Sequence, residues 1–89
     1  MAKWTIILSP LAIGHFNDLQ PKQRQIIAHA IDRMHDNPFI GDVKALQGKE
    51  WKGRYRKRVG RFRIIFIPYQ KILHIKISAI VMRSEQTYW

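Results

Sequence analysis

The chain has no cysteine. A disulfide framework and a thiolate metal site are therefore both excluded. It is also poor in acid, with six Asp and Glu against sixteen Lys and Arg, a formal charge of +10. Long apolar runs are missing too: the longest, Ile64 to Pro68, is far too short to span a membrane. The start is basic and then apolar, as in a secretory signal, but it breaks at Ser9-Pro10 and runs into His15, Asn17 and Asp18. Eighty-nine residues leave no room for a two-lobed enzyme with a deep cofactor cleft. The expectation is one domain, residues 1–89, in the cytoplasm, with no membrane partner, metal or cofactor.

What is present is hydrophobic content of 46%, with 11% aromatic, too rich for a disordered basic tail. A surplus of positive charge on a folded domain favours polyanionic partners, nucleic acid first. The charge is concentrated. Residues 44–63 hold nine of the sixteen cations: Lys44, Lys49, Lys52, Arg54, Arg56, Lys57, Arg58, Arg61 and Arg63. Glu50 is the one acid in that window. Such a segment reads as an anion-binding surface.

Periodicity supplies the elements. Lys3 to Leu8 alternates and predicts a strand. Ser9-Pro10 starts a helix, serine capping free amides and proline fitting the first turn. On that helix Ala12, Ile13, Phe16 and Leu19 share a face. A second helix opens at Gln20-Pro21, carries the stripe Ile26, Ile27, Ala30, Ile31 and Met34, and ends at Asn37-Pro38. The two helices form a hairpin. Phe39 to Gly53 reads as a loop pinned by Leu46.

The last third predicts three strands. Arg54 to Val59 sets Arg54, Arg56 and Arg58 on one face and Tyr55, Lys57 and Val59 on the other. Val59-Gly60-Arg61 turns into Phe62 to Ile67, where Pro68 ends the ladder. Ile72 to Met82 follows, with Leu73, Ile75, Ile77, Ala79 and Val81 facing the core and His74, Lys76 and Ser78 facing away. The predicted fold class is α+β, ordered β-α-α-β-β-β, with the helical hairpin on one face of a mostly antiparallel four-stranded sheet. The other face is left open for the arginines. Trp4 is expected in the core.

The run Tyr55-Arg-Lys-Arg-Val-Gly-Arg-Phe-Arg-Ile-Ile-Phe66, the step Leu46-Gln47-Gly48 and the ending Arg83-Ser-Glu-Gln-Thr-Tyr88 resemble the RelE/ParE superfamily of bacterial toxins. The resemblance covers nearly the whole chain. It implies the toxin of a toxin–antitoxin pair, held by a cognate acidic antitoxin. RelE-like members enter the ribosomal A site and cut mRNA there, whereas ParE-like members poison DNA gyrase. A toxin that binds nucleic acid without cutting it is a third reading. Cleavage would use the 2′-hydroxyl next to the scissile phosphate and would need no metal.

By the same resemblance Arg56 and Arg58 stand at the family's pair of basic residues, Arg63 at its arginine on the following strand, and Arg83 and Tyr88 at its C-terminal arginine and tyrosine. These five are the candidate catalytic residues. Lys49, Lys52, Arg54, Lys57 and Arg61 are the candidate RNA-binding residues. Arginine suits phosphate, since its planar fork makes paired hydrogen bonds and keeps its proton. For the same reason it is a poor base. The best-known RelE type has lysine at the pair, so the proton acceptor stays open among Lys52, Lys57 and His74, with His74 favoured for its intrinsic pKa. Glu50 reads as a charge partner of Lys49 and Lys52. Trp51 and Trp89 are candidates for stacking on bases.

Overall fold

The computed structural model describes residues 3–82. Its elements run β1 (Thr5–Leu8), α1 (Pro10–Asn17), α2 (Pro21–Met34), β2 (Val43–Ala45), β3 (Tyr55–Val59), β4 (Phe62–Tyr69) and β5 (His74–Met82), with a 3-10 turn at Lys49–Trp51. The class is α+β as expected, but the sheet has five strands, ordered β1-β5-β4-β3-β2. The added strand is β2, inside the segment that reads as a loop. Three residues are too few to show a period of two, and β2 is defined by pairing alone: Val43 with Lys57, Lys44 with Arg56 and Ala45 with Tyr55. Among the described strands β1 pairs with β5 in parallel, and the other pairings are antiparallel.

Ser9 starts α1 as predicted. Its Oγ accepts the Ala12 N–H at 3.1 Å and donates to the Ser78 carbonyl at 2.8 Å. The cap is thus also a tie to β5. Ala12 is buried, while Phe16 and Leu19 pack against the core. Ile13, expected on the same face, is 48% exposed, because α1 ends at Asn17 and buries a narrow stripe. On α2 the stripe Ile27, Ala30 and Met34 is buried and Ile26 lies at its open edge. These residues meet Phe62, Ile64, Phe66, Ile75, Ile77 and Ile80 in one core. Trp4 packs against that core, and Leu46 is buried as the expected anchor. No helix among the described residues is long and apolar enough to cross a membrane.

Two strand readings are corrected. Pro68 does not end β4, which runs to Tyr69. Pairing with β3 stops at Phe66, so Pro68 lies where β4 has one neighbour, β5, and the missing N–H disturbs less of the ladder. On β5 the phase changes midway. Phe66 pairs with Ile77 but Ile65 pairs with Ala79, so Ser78 is an inserted residue, a β-bulge. Helix α1 holds this bulge. Besides the Ser9 bond to Ser78, the Ser9 N–H reaches the Ile77 carbonyl at 2.9 Å, and His15 Nδ1 accepts the Ile80 N–H at 3.1 Å. As a result Ile80 enters the core, while Ala79 and Val81 turn to the open face. Leu73, also predicted to face the core from the strand, sits before β5 with φ of 53°, in the turn from β4.

Candidate nucleic-acid interface

Directly paired residues in a sheet share a face, so the register fixes which side chains meet on the side away from the helices. One row there is Lys44, Arg56, Ile65 and Ala79. The next is Arg58, Arg63 and Val81. The pleat of β3 thus delivers the predicted alternation, with Arg56 and Arg58 on the open face and Tyr55, Lys57 and Val59 toward the helices. Tyr55 stacks on Phe66, their ring centroids 5.8 Å apart. Arg56 and Arg63 are each only 7% exposed. With Lys44, Ala45, Leu46 and Gln47 they line a cavity of about 250 Å³.

Arg58 and Arg63 are like charges placed directly opposite each other, an arrangement that ordinarily destabilises a sheet. Asp42, at the entry to β2, offsets it. Its Oδ1 accepts from Arg56 Nη1 at 3.0 Å, and its Oδ2 lies 2.8 Å from Arg58 Nε. The Asp42 carbonyl takes a second bond from Arg56 Nη1 at 3.2 Å and the Arg58 N–H at 2.9 Å. The hydrogen bond from Arg56, followed by the charges of both guanidiniums, holds the Asp42 carboxyl below the usual carboxylate range against an opposing desolvation. It stays ionised and keeps the two forks aligned. Sequence reasoning placed Lys44 in the anion-binding segment but missed Asp42 and Gln47 as parts of this site. The missing signal was β2: without that strand nothing places residues 42–47 beside β3.

The remaining candidates fall into separate places. Lys49 and Lys52 are exposed around the 3-10 turn. Arg54 lies just before β3, its guanidinium 5.7 Å from the centroid of the Trp51 ring. Arg61 is exposed in the β3–β4 turn. These four flank the arginine rows from the two ends of β3. Glu50 forms no ion pair with Lys49 or Lys52 among the described residues. Lys57 is not with the flanking cations: it is buried on the helix side, its Nζ donating to the Ile40 carbonyl. His74 is on the open face but pairs with Tyr69, six residues along β4 from Arg63, about 20 Å at the rise of a strand. A general base must come within hydrogen-bond reach of its proton, and at that separation His74 is out of reach of a phosphate placed at Arg63. Its surroundings there are Ile7, Tyr69, Ile72 and Lys76. Arg83, Tyr88 and Trp89 lie outside the described residues.

Three guanidiniums on one face, two of them nearly buried, can bind a phosphate with several charge-assisted hydrogen bonds. They can also stabilise added negative charge at phosphorus in a transition state. No group of three or more His, Asp or Glu placed to hold a metal ion occurs among the described residues.

Two helices thus lie on one face of a mixed sheet and the arginines on the other. The chain shares its fold with solved RelE and YoeB toxin structures. The toxin–antitoxin complex RelBE2 from Mycobacterium tuberculosis superposes with a TM-score of 0.80 at 17% identity, covering 91% of this chain and 99% of that one. The archaeal RelE–RelB complex from Pyrococcus horikoshii gives 0.80 at 21%, covering 96% and 99%. The isolated Escherichia coli RelE toxin gives 0.76 at 12%, covering 93% and 87%. No protein-family model matches the chain, and no curated protein matches its sequence.

Proposed function

We propose that this chain, acting as one domain, is the toxin of a toxin–antitoxin pair and an endoribonuclease that cuts mRNA in the ribosomal A site. The carrying observation is the convergence of Arg56, Arg58 and Arg63 on one open sheet face, with Lys44 beside them. In the reaction the 2′-hydroxyl loses its proton and its oxygen bonds to phosphorus. The bond to the 5′ oxygen breaks, and that oxygen takes up a proton. The arginines bind the non-bridging oxygens and stabilise the charge that builds on them. The Asp42 carboxylate, ionised beside Arg56 and Arg58, is a described group near that phosphate that can take the first proton. Arg83 and Tyr88 would complete the site. The partner would be an acidic antitoxin that covers the basic face, and the setting is the cytoplasm, where translating ribosomes are.

Mapping of transcript 5′ ends after induction in a bacterial host tests this. Discrete cuts within translated codons, lost in Arg63→Ala together with growth arrest, are expected. Intact transcripts with DNA damage would instead assign the chain a ParE-like action on gyrase. Intact transcripts without damage would leave a binding protein that has lost cleavage.

A further inference from the structure

A second cavity, of about 320 Å³, opens on the opposite side of β3, between α2 and the segment 37–41. Two cationic side chains line it, Lys57 from β3 and Arg33 from α2, together with the His29 imidazole. His29 and Arg33 are four residues apart and so share a helix face with Ile26 and Ala30, which line it too. Lys57 is 9% exposed. Its ammonium has three donors, and among the described residues it donates to the Ile40 carbonyl. Among the described residues no carboxylate pairs with Lys57, Arg33 or His29.

Buried cations are normally matched by an anion. Here burial, and after it the charge of Arg33, hold the Lys57 ammonium below the usual lysine range, so the like charges are felt rather than screened away. The walls add a second feature. Ile26 and Ile40 are 51% and 50% exposed around a hollow whose floor is charged. A ligand that satisfies both is an anion on an apolar body.

We propose that this cavity is a binding site for a carboxylate carried on an apolar group, seated on Lys57 and Arg33 and covering Ile26 and Ile40. A phosphate of RNA is a poorer fit. One buried ammonium and one exposed fork match a monoanion, whereas the open face offers three guanidiniums to a phosphate. Lys57 and Arg56 also point to opposite sides of the sheet, so one nucleic-acid strand does not engage both. The proposal is independent of whether the open face cleaves RNA.

The carboxylate can come from a free small molecule or from an acidic side chain of a partner peptide, and two probes separate these sources. Isotope-labelled full-length chain made by cell-free synthesis is titrated with benzoate. In parallel it is titrated with a capped tetrapeptide holding one glutamate among leucines. Saturable amide shifts at Ile40, Gly41 and Val59 are expected. Lys57→Met should weaken binding about tenfold or more, the loss of one charge-assisted bond. Arg33→Gln, on an exposed helix position that leaves the fold intact, should weaken it about threefold. Tighter binding of benzoate assigns a small-molecule site, and tighter binding of the peptide assigns a partner side chain. The proposal is overturned if neither probe saturates, if both bind Arg33→Gln and Lys57→Met as well as the parent, or if the shifts fall on Arg56, Arg58 and Arg63.

Discussion

Arg56 and Lys57 are neighbours on one strand, both nearly buried, and the two faces of the sheet treat their charges differently. Arg56 reaches Asp42 and its carbonyl on the open face. Lys57 reaches a neutral carbonyl, Ile40, on the helix side. The first arrangement keeps a cation charged and oriented, with a carboxylate already in the position where a phosphate oxygen would compete. The second gives the charge no carboxylate partner among the described residues. Burial of a cation therefore says little about its role until its partner is known. On β3 the partner distinguishes the two: a carboxylate for Arg56 and a neutral carbonyl for Lys57.

The largest expected effect is on the open face. Arg56→Gln or Arg63→Gln should lower the single-turnover cleavage rate on programmed ribosomes about a hundredfold to a thousandfold, the range for loss of one preorganised donor. The thermal midpoint of Arg63→Gln serves as the control, since glutamine keeps the stem and a donor. A loss below about threefold in both variants would break the comparison, because the face would then hold cations with no more role than Lys57 has in that reaction.

How far this was legible differs by residue. The alternation of Arg56, Lys57 and Arg58 was legible because strand period is two and their neighbours Tyr55 and Val59 mark the core side. The start of α1 was legible because Ser9-Pro10 has a local cause. Asp42 was not, since its role depends on β2, three residues that no periodicity reveals. The phase change on β5 was not legible either. Ile77-Ser78-Ala79-Ile80 fits the core with or without an inserted residue, and bonds from Ser9 and His15, more than sixty residues earlier, decide it. His74 was legible in part for a related reason: its face followed from phase, but its distance from Arg63 needed the hairpin register.

Gly41 joins the two faces, since it lies between Ile40, whose carbonyl holds Lys57, and Asp42, which holds the arginines. Its φ is +91°, a region that a side chain disfavours. A Cβ there would also meet Lys57 Nζ at 3.3 Å. Gly41→Ala should cost about 1–2 kcal/mol in urea unfolding. If this segment couples the faces, the same variant should also slow cleavage. Unchanged stability would show that the segment is not held as described.

Lys57→Met tests the other half of the contrast. It keeps most of the stem volume and removes a buried charge that has no carboxylate partner among the described residues, so stability should stay level or rise by about 1 kcal/mol. A fall of that size would mean that the bond to Ile40 outweighs the burial of the charge, and the two faces would then be alike.

The smallest expected effects lie in the pH dependence of stability, where the two faces act in different ranges. Asp42 has its folded-state pKa lowered, chiefly by the bond from Arg56. Its contribution is therefore fully present above the ordinary carboxylate range and is lost as pH falls through the lowered value. Lys57 also has a lowered pKa, chiefly from burial. Below that value both folded and unfolded chains carry the proton, and the penalty of burying the charge is fully present. Between the lowered value and the ordinary lysine range the unfolded chain holds more protons, so stability rises with pH. Both limbs therefore slope upward with pH, for opposite reasons: one is a favourable pair gained, the other an unfavourable charge removed. Urea midpoints measured from acid to alkaline pH should show Asp42→Asn flattening the acid limb alone and Lys57→Met flattening the alkaline limb alone. An alkaline limb unchanged in Lys57→Met would mean that Lys57 keeps its ordinary affinity for a proton, and the helix-side cavity would not be short of negative charge.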